Sequence, residues 1–564
     1  MHGSRRRLNR RHRLKSNRSY ALTSMDTVDF SVSDVDAPMY SGQRFAAKLM
    51  RKRRRAILTG HEKVRVEKQK FKIKWNVFVM SVAFLLLFTA FHGLQNLQTT
   101  VNSEEYLGAV SLSVVYLSLA VSSLFLPSYL INRLGCKQAM IVSMAMYTLY
   151  MLANFIPRWY ALVPASVLVG MAGSCLWAAN CIYITETGVR YSHLNIESPN
   201  GVIVRFFGYF FMIVHMGQVF GNLISSLMLE KTMHYNQPVD RVEKTCGHFF
   251  TGQWNELSET GRENLTRPPQ RVYLAVCAIY VCCTIIATLI LTLFLNTLHK
   301  DEVAKKDAPR FNLDVFRRTL ENLRKPKPVL LIPLTIFNGM EQAFIVGEFT
   351  KAYVACGLGL SQIGFVMTAF GIADAVCSLV FGPLIKLFGR MPLFIFGAVV
   401  DMLMIFTLLV WPFNPGDTAM FYVIACAWGM ADGVWNTQLN GFWVALVGQH
   451  LEVAFANYRF WESFGLAVAF LLMRFTTTEI FLYILLGSLF LGMIGYFAIE
   501  IYDHIIEACA KGRMICIDLY NFYRDSSKQN VPTSMEASLI STQPIQGGRS
   551  NPLVLPDFDV SLHI

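Results

Sequence analysis

The chain has 564 residues, 53% of them hydrophobic and only 16% charged, and its mean hydropathy is +0.38. Soluble globular domains carry closer to a quarter charged residues, so the composition argues against a water-soluble enzyme and for lipid as the solvent. The formal charge of +13 is uneven: residues 1–74 hold 21 of the 51 Lys and Arg.

In chain order, residues 1–74 read as a basic cytoplasmic tail containing "RRRLNRRHRLK" and "RKRRR". Such a block can bind nucleic acid, but beside an apolar span it marks the cytoplasmic side, so no nucleic-acid partner is expected. The first 20 residues contain no apolar stretch, and no cleaved secretory signal is expected. Twelve apolar spans follow, at 75–94, 107–131, 138–156, 161–183, 203–229, 271–296, 328–347, 361–385, 392–411, 418–443, 455–473 and 479–500. About 20 helical residues at 1.5 Å each cross a hydrocarbon core about 30 Å thick. The runs are too long and continuous for barrel strands. The expected fold is all-α and polytopic, with six-helix halves at 75–296 and 328–500. A cytoplasmic linker, 297–327, joins them, and a cytoplasmic tail, 501–564, ends the chain.

The linker, rich in Lys and Arg, lies six spans after the basic tail, so both fall on one side. The 230–270 loop then lies outside, and its Asn264-Leu265-Thr266 is an N-glycosylation acceptor. A second sequon at Asn17 lies on the wrong side and should be silent. Most of the twelve cysteines fall in apolar spans, where they read as small hydrophobes.

Two short turns repeat half a chain apart: "INRLGCKQ" (131–138) and "IKLFGRMP" (385–392). Each sits between apolar runs, one after span 2 and one after span 8. A second echo pairs "GMAGSCLWAAN" (170–180) with "GMADGVWNTQ" (429–438), at nearly the same offset. Two correlated echoes indicate a duplicated six-helix unit. The turns resemble the cytoplasmic motif of the major facilitator superfamily, G-x-x-x-D-[RK]-x-G-[RK]-[RK]. Arg133, Gly135 and Lys137 match in the first half, and Gly382, Gly389 and Arg390 in the second. Ser128 and Asn132 depart from the motif's glycine and Asp, and Lys386 replaces the second Asp. The resemblance implies that glycine permits close helix approach and that the basic residues meet helix C-terminal carbonyls or acidic partners.

Charges inside a bilayer cost roughly 3 kcal/mol each on insertion scales, so each needs a partner, water or a role. The candidates are Glu341, Asp374, Asp401, Asp432, Arg459, Glu462 and Arg474. Asp432, Asn436 and Asn440 stand at i, i+4, i+8 on span 10, and His215, Gln218 and Asn222 at i, i+3, i+7 on span 5. Arg459 and Glu462, at i, i+3, can pair; Arg459 could instead answer Asp432 across a polar cavity. Asp401 is a candidate acceptor for a motif turn. Inter-helix hydrogen bonding explains all of these without a cavity. No Walker loop, HExxH, GxSxG or EF-hand motif is present, nor any CxxC or Cys/His spacing. Neither catalysis, a cofactor nor a metal is expected.

More specific stretches are "FHGLQNLQTTVNSEEYLGAVSLSVVY" (91–116), "FLPSYLINRLGCK" (125–137), "RWYALVPASVLVG" (158–170), "LWAANCIYIT" (176–185), "GMADGVWNTQLNG" (429–441) and "AFANYRFWESFG" (454–465). Together they resemble the Unc-93 family, and most closely its homologue-A branch, over nearly all of 75–500. The resemblance implies a major-facilitator-like fold and a regulatory or accessory role toward a membrane partner, a potassium channel above all. A secondary transporter of a small solute and a trafficking escort for Toll-like receptors are the alternatives. The cell membrane is the expected site, with endoplasmic reticulum or endolysosomal membrane as alternatives. The family pattern puts two cysteines in the long outer loop. This chain has only Cys246 there, and Cys356, just after span 7, is also expected outside, which leaves a Cys246–Cys356 bridge open.

Overall fold

The computed structural model describes residues 60–102, 106–195, 197–230, 244–298, 314–447 and 451–529. Among them every regular element is helical. Twelve helical elements follow one another where the spans were expected. They are α1 Gly60–Val101, α2 (Leu107–Ser123 with Leu126–Leu134), α3 Cys136–Ala153, α4 Trp159–Asn195, α5 Pro199–Glu230 and α6 Gln270–Phe294 in the first half. The second half holds α7 Pro326–Leu358, α8 Gln362–Phe388, α9 Met391–Val410, α10 (Thr418–Val434, Trp435–Leu439 and Asn440–Val447), α11 Leu451–Leu472 and α12 Thr478–Gln529. Eight of these are long and apolar enough to cross a membrane alone. The two segments of α2, bent by 69°, make a ninth if counted as one span. The face carrying 154–158, 244–269 and 411–417 is called outer below; α1 begins at the opposite, inner face.

By internal contacts the chain divides at Glu500 into two units, Met1–Glu500 and Ile501–Ile564. The described part of the second, 501–529, is helical. Two helices extend into the segments expected as tail and linker. α1 starts at Gly60, within the segment read as tail, and a helix Asp314–Asn322 occupies part of the linker.

The duplication is visible in the packing. In the first half α1 packs on α5, α2 on α4 and α3 on α4; in the second, α7 packs on α11, α8 on α10 and α9 on α10. The halves meet through α2 against α11 and α5 against α8, which exchange under the same operation. The "GMA" echo has a physical cause in this scheme. A Cβ on Gly170 of α4 would stand 2.1 Å from Val115 O of α2, and one on Gly429 of α10 would stand 2.4 Å from Phe370 O of α8. Each glycine marks the equivalent crossing, where only a hydrogen fits between backbones.

The buried apolar residues form two clusters. One fills the first half, from Ile73 to Leu295. The other fills the second half but also takes in Leu97, Val101, Leu112, Leu229 and Phe250, from the outer ends of the first-half helices and the outer loop. The halves therefore share a continuous apolar core at the outer face.

Candidate functional site: the seam between the halves

At the inner face, the two basic turns have one backbone conformation. Gly135 has φ 80° and ψ 163°, and Gly389 has φ 82° and ψ −177°. The Gly135 N–H donates to Ile131 O at 2.8 Å and the Gly389 N–H to Ile385 O at 3.0 Å. Lys137 Nζ donates to Thr292 O at 2.9 Å and Leu295 O at 2.7 Å, at the C-terminal end of α6. Arg390 Nε donates to Glu500 Oε1 of α12 at 3.1 Å, its guanidinium 3.9 Å from the Phe442 ring. Each turn thus ties its own half's sixth helix. Arg133 lies 5.3 Å over the Tyr129 ring instead. Gly382 and Lys386 lie on α8, and the Lys386 side chain is outside the described set.

The expectation that these glycines permit close approach needs correction at Gly389, where a Cβ would meet nothing within 4 Å. The requirement is the backbone: positive φ with extended ψ is essentially confined to glycine and costs other residues roughly 1–3 kcal/mol. Gly135→Ala and Gly389→Ala should therefore each lower detergent melting by a similar amount, of that order. Wild-type melting of either variant would break the equivalence of the turns.

At mid-depth, Arg459 Nη1 donates to Glu462 Oε2 at 2.8 Å on α11. Glu462 Oε1 accepts from Tyr458 OH at 2.8 Å and from Asn338 Nδ2 at 3.4 Å. Asn436 Oδ1 accepts from Gln342 Nε2 at 3.2 Å and from Tyr458 OH at 3.4 Å. One network thus links α7, α10 and α11. Arg459 also lies 4.6 Å over the Trp177 ring of α4, which carries the link into the first half. Asp432 is not Arg459's hydrogen-bonded partner, and its charged neighbours include the carboxyls of Asp374, Glu462 and Asp401. A π-helical turn, Trp435–Leu439, interrupts the α register of α10. The Asp432–Asn436–Asn440 stripe is therefore not one donor–acceptor line: Asp432 Oδ1 and Asn440 Oδ1 are buried and unpartnered among the described residues. Asp401 accepts from Trp435 Nε1 at 2.8 Å rather than from a motif turn.

The α5 stripe faces two helices. His215 Nδ1 contacts Asp374 Oδ2 of α8, Gln218 packs where Gly371 of α8 leaves room, and Asn222 Oδ1 accepts from Asn96 Nδ2 of α1 at 2.7 Å. The His215–Asp374 contact joins the two halves.

Toward the outer face such ties multiply. Thr99 Oγ1 donates to Gly347 O at 3.1 Å, Ser113 Oγ to Ala467 O at 2.8 Å, and Ser226 Oγ to Ser361 O. The Tyr116 and Phe470 rings stack 5.8 Å apart. Thr478 donates from N and Oγ1 to Phe250 O and from Oγ1 to Glu348 Oε1 at 2.5 Å. Cys246 of the outer loop and Cys356 of α7 are disulfide-bonded, with Cα atoms 5.7 Å apart. Asn264 Nδ2 donates to Cys356 O beside it at 2.9 Å. A glycan on Asn264 would leave one amide hydrogen for that bond, and Asn264 remains the proposed acceptor. Asn264→Gln should abolish a glycosidase-sensitive gel shift; a shift equal to wild type would overturn the loop's placement or the sequon's use. Asn17 lies outside the described residues.

Two functional groups were not singled out from the sequence. They are Glu348 and Lys351, which lie beyond the expected span 328–347: α7 continues to Leu358 through a π-helical stretch, Phe344–Ala355. Cys356 accordingly sits in the last turn of α7 rather than after it. Lys351 Nζ lies 5.5 Å from the Tyr106 ring and 5.6 Å from Phe250. The legible signal was the i, i+3 spacing of the two opposite charges. No group of three His, Cys, Asp or Glu suited to a metal occurs among the described residues.

The seam can be set beside known proteins. Residues 98–497 match the family model described as "Ion channel regulatory protein UNC-93". A Caenorhabditis elegans relative, provisionally named potassium channel regulatory protein unc-93, is 56% identical over 516 residues, covering 90% of this chain and 71% of that one. Protein unc-93 homolog A of Xenopus laevis is 39% identical over 76% of this chain and 94% of its own, and that of Homo sapiens 37% over 75% and 93%. The crystal structure of the nucleoside transporter NupG superposes with a TM-score of 0.51 at 14% identity, covering 74% of this chain and 98% of that one, a likeness of fold alone. The architecture is major-facilitator-like, and the chain belongs to the UNC-93 family.

Proposed function

We propose that this chain is a non-enzymatic regulatory or accessory subunit of a membrane partner, a potassium channel being the partner class that the name of its Caenorhabditis elegans relative gives. It acts in the cell membrane, with both termini in the cytoplasm. The observation that supports the proposal is the Cys246–Cys356 bridge, which ties the loop before α6 to the end of α7 across the two halves. Alternating access requires one repeat to rock against the other around a midplane site. A covalent tie at one end of that hinge, reinforced by a shared apolar core, resists the motion. A transporter fold held this way serves better as a scaffold that presents helix faces to a partner.

The test is electrophysiological. Potassium channels are expressed with and without the full chain, and current density and open probability are recorded. The accessory role predicts a change in either, retained in Asp432→Asn, whose carboxyl is buried in the second half. A flux measured without any channel and abolished by Asp432→Asn would instead establish a solute transporter.

A further inference from the structure

The inner end of α1 carries a face that the fold leaves uncovered. Val64, Lys68, Phe71, Lys72, Trp75 and Phe78 are all exposed. At about 100° per residue they fall within an arc of roughly 120°, one side of the helix. Large apolar groups on it are open: Val64 is 70% exposed and Phe71 69%. The acidic residue at its edge, Glu67, is engaged by Lys70 Nζ at 3.0 Å. Among the described residues Lys68 and Lys72 have no carboxylate partner. Lys74, off the face, lies over the Tyr191 ring.

This face is continuous with a surface whose solvent is already known. Phe78 and the residues after it lie in the apolar part of α1, and Trp75 packs 5.9 Å from Phe78. Trp is enriched at the boundary between hydrocarbon and headgroups. With Trp75 at that boundary, a rise of 1.5 Å per residue puts Lys72 about 4.5 Å and Lys68 about 10.5 Å further out. The headgroup layer is roughly 5–8 Å thick on each side. A lysine stem extends apolar methylenes and ends in a charge, so the Lys72 ammonium lies at phosphate level, Phe71, about 6 Å beyond Trp75, lies among the headgroups, and Lys68 stands at their outer edge, within the reach of the surface charge. Val64, about 16 Å beyond Trp75 along the helix, lies outside the layer.

We propose that Lys68, Phe71, Lys72 and Trp75 form a binding face for anionic phospholipid headgroups of the leaflet through which α1 enters. Charge and continuity with the bilayer favour this occupant over a protein partner, which would cover Val64 as well.

The test places a photoreactive side chain at Phe71 of the full-length protein, reconstituted in vesicles of phosphatidylcholine with phosphatidylserine. Both leaflets carry the same lipids, so the result does not depend on the direction of insertion or on any channel partner. Crosslinks to phosphatidylserine should exceed its mole fraction severalfold. Lys68→Gln with Lys72→Gln should return the ratio toward the mole fraction, a fall of roughly fivefold or more from the attraction per lysine near a charged surface. A photoreactive group at Val64 should show no such enrichment. Overturning results are crosslinks from Phe71 to polypeptide, residues 1–59 included, enrichment that survives loss of both lysines, or equal enrichment at Val64.

Discussion

Alanine at Gly170 or at Gly429 is expected to abolish most folded yield, and the two variants should fail alike. A methyl group would have to occupy space 2.1 Å from Val115 O in one case and 2.4 Å from Phe370 O in the other. Both obstacles are backbone atoms, which cannot rotate away as a side-chain tip can. The helices must part, and overpacking of this kind typically costs 1–3 kcal/mol, with about 3 or more expected against backbone. Gly208→Ala is the control: it is also helical and a Cβ there meets nothing within 4 Å, so it should melt as wild type or slightly above, since Ala is the better helix former. Melting in detergent and monodisperse yield measure both. A stable Gly170→Ala beside a collapsed Gly429→Ala would mean that the two crossings are not equivalent and that the duplication does not extend to packing.

The second large effect concerns Arg459 and Glu462. Glu462 has a side chain 3% exposed and Arg459 one 24% exposed, so Arg459→Met strands the more deeply buried charge. Removing one partner of a buried pair costs about 3–5 kcal/mol. Tyr458 and Asn338 still donate to Glu462, which places the expected loss at the lower end of that range. Arg459→Met with Glu462→Gln should hurt less than the two single losses together, with a coupling of about 0.5–3 kcal/mol. The Arg459→Met, Asp432→Asn cycle should show clearly less coupling, because Asp432 is not hydrogen-bonded to the guanidinium. Strict additivity at Glu462, or stronger coupling to Asp432, would contradict the observed network. Because Arg459 also stacks on Trp177 of the other half, the cycle reports on the seam as well as on α11.

What the sequence made legible followed from local chemistry. Apolar runs located the helices, since twenty residues without charge have few other solutions in lipid. The paired turns were legible because the same backbone demand, glycine at positive φ with a cation beside it, recurs at Gly135 and Gly389. The Arg459–Glu462 pair was legible because i, i+3 partners share a helix face. Other features depend on tertiary placement. His215 and Asp374 lie 159 positions apart, and no periodicity brings them together. The π-helical turns in α7 and α10 also escaped notice. One moved the end of span 7 past Glu348 and Lys351, and the other broke a stripe that an ideal helix would have kept. The donor to Asp401 is Trp435 Nε1 rather than a motif turn for the same reason, since Trp435 lies within the π turn.

The central claim is that the halves are held together at the outer face. It is tested most directly by the separation of their outer ends in the full-length protein in lipid. Spin labels replace Ile156, in the α3–α4 turn, and Asp417, in the α9–α10 turn, both exposed, and pulsed dipolar spectroscopy measures the distance distribution. A single narrow population is expected while Cys246 and Cys356 remain bonded, with broadening only when both are replaced by Ser. A second, longer population in the intact, oxidised protein would show that the outer face opens, and would contradict the tie on which the accessory role rests.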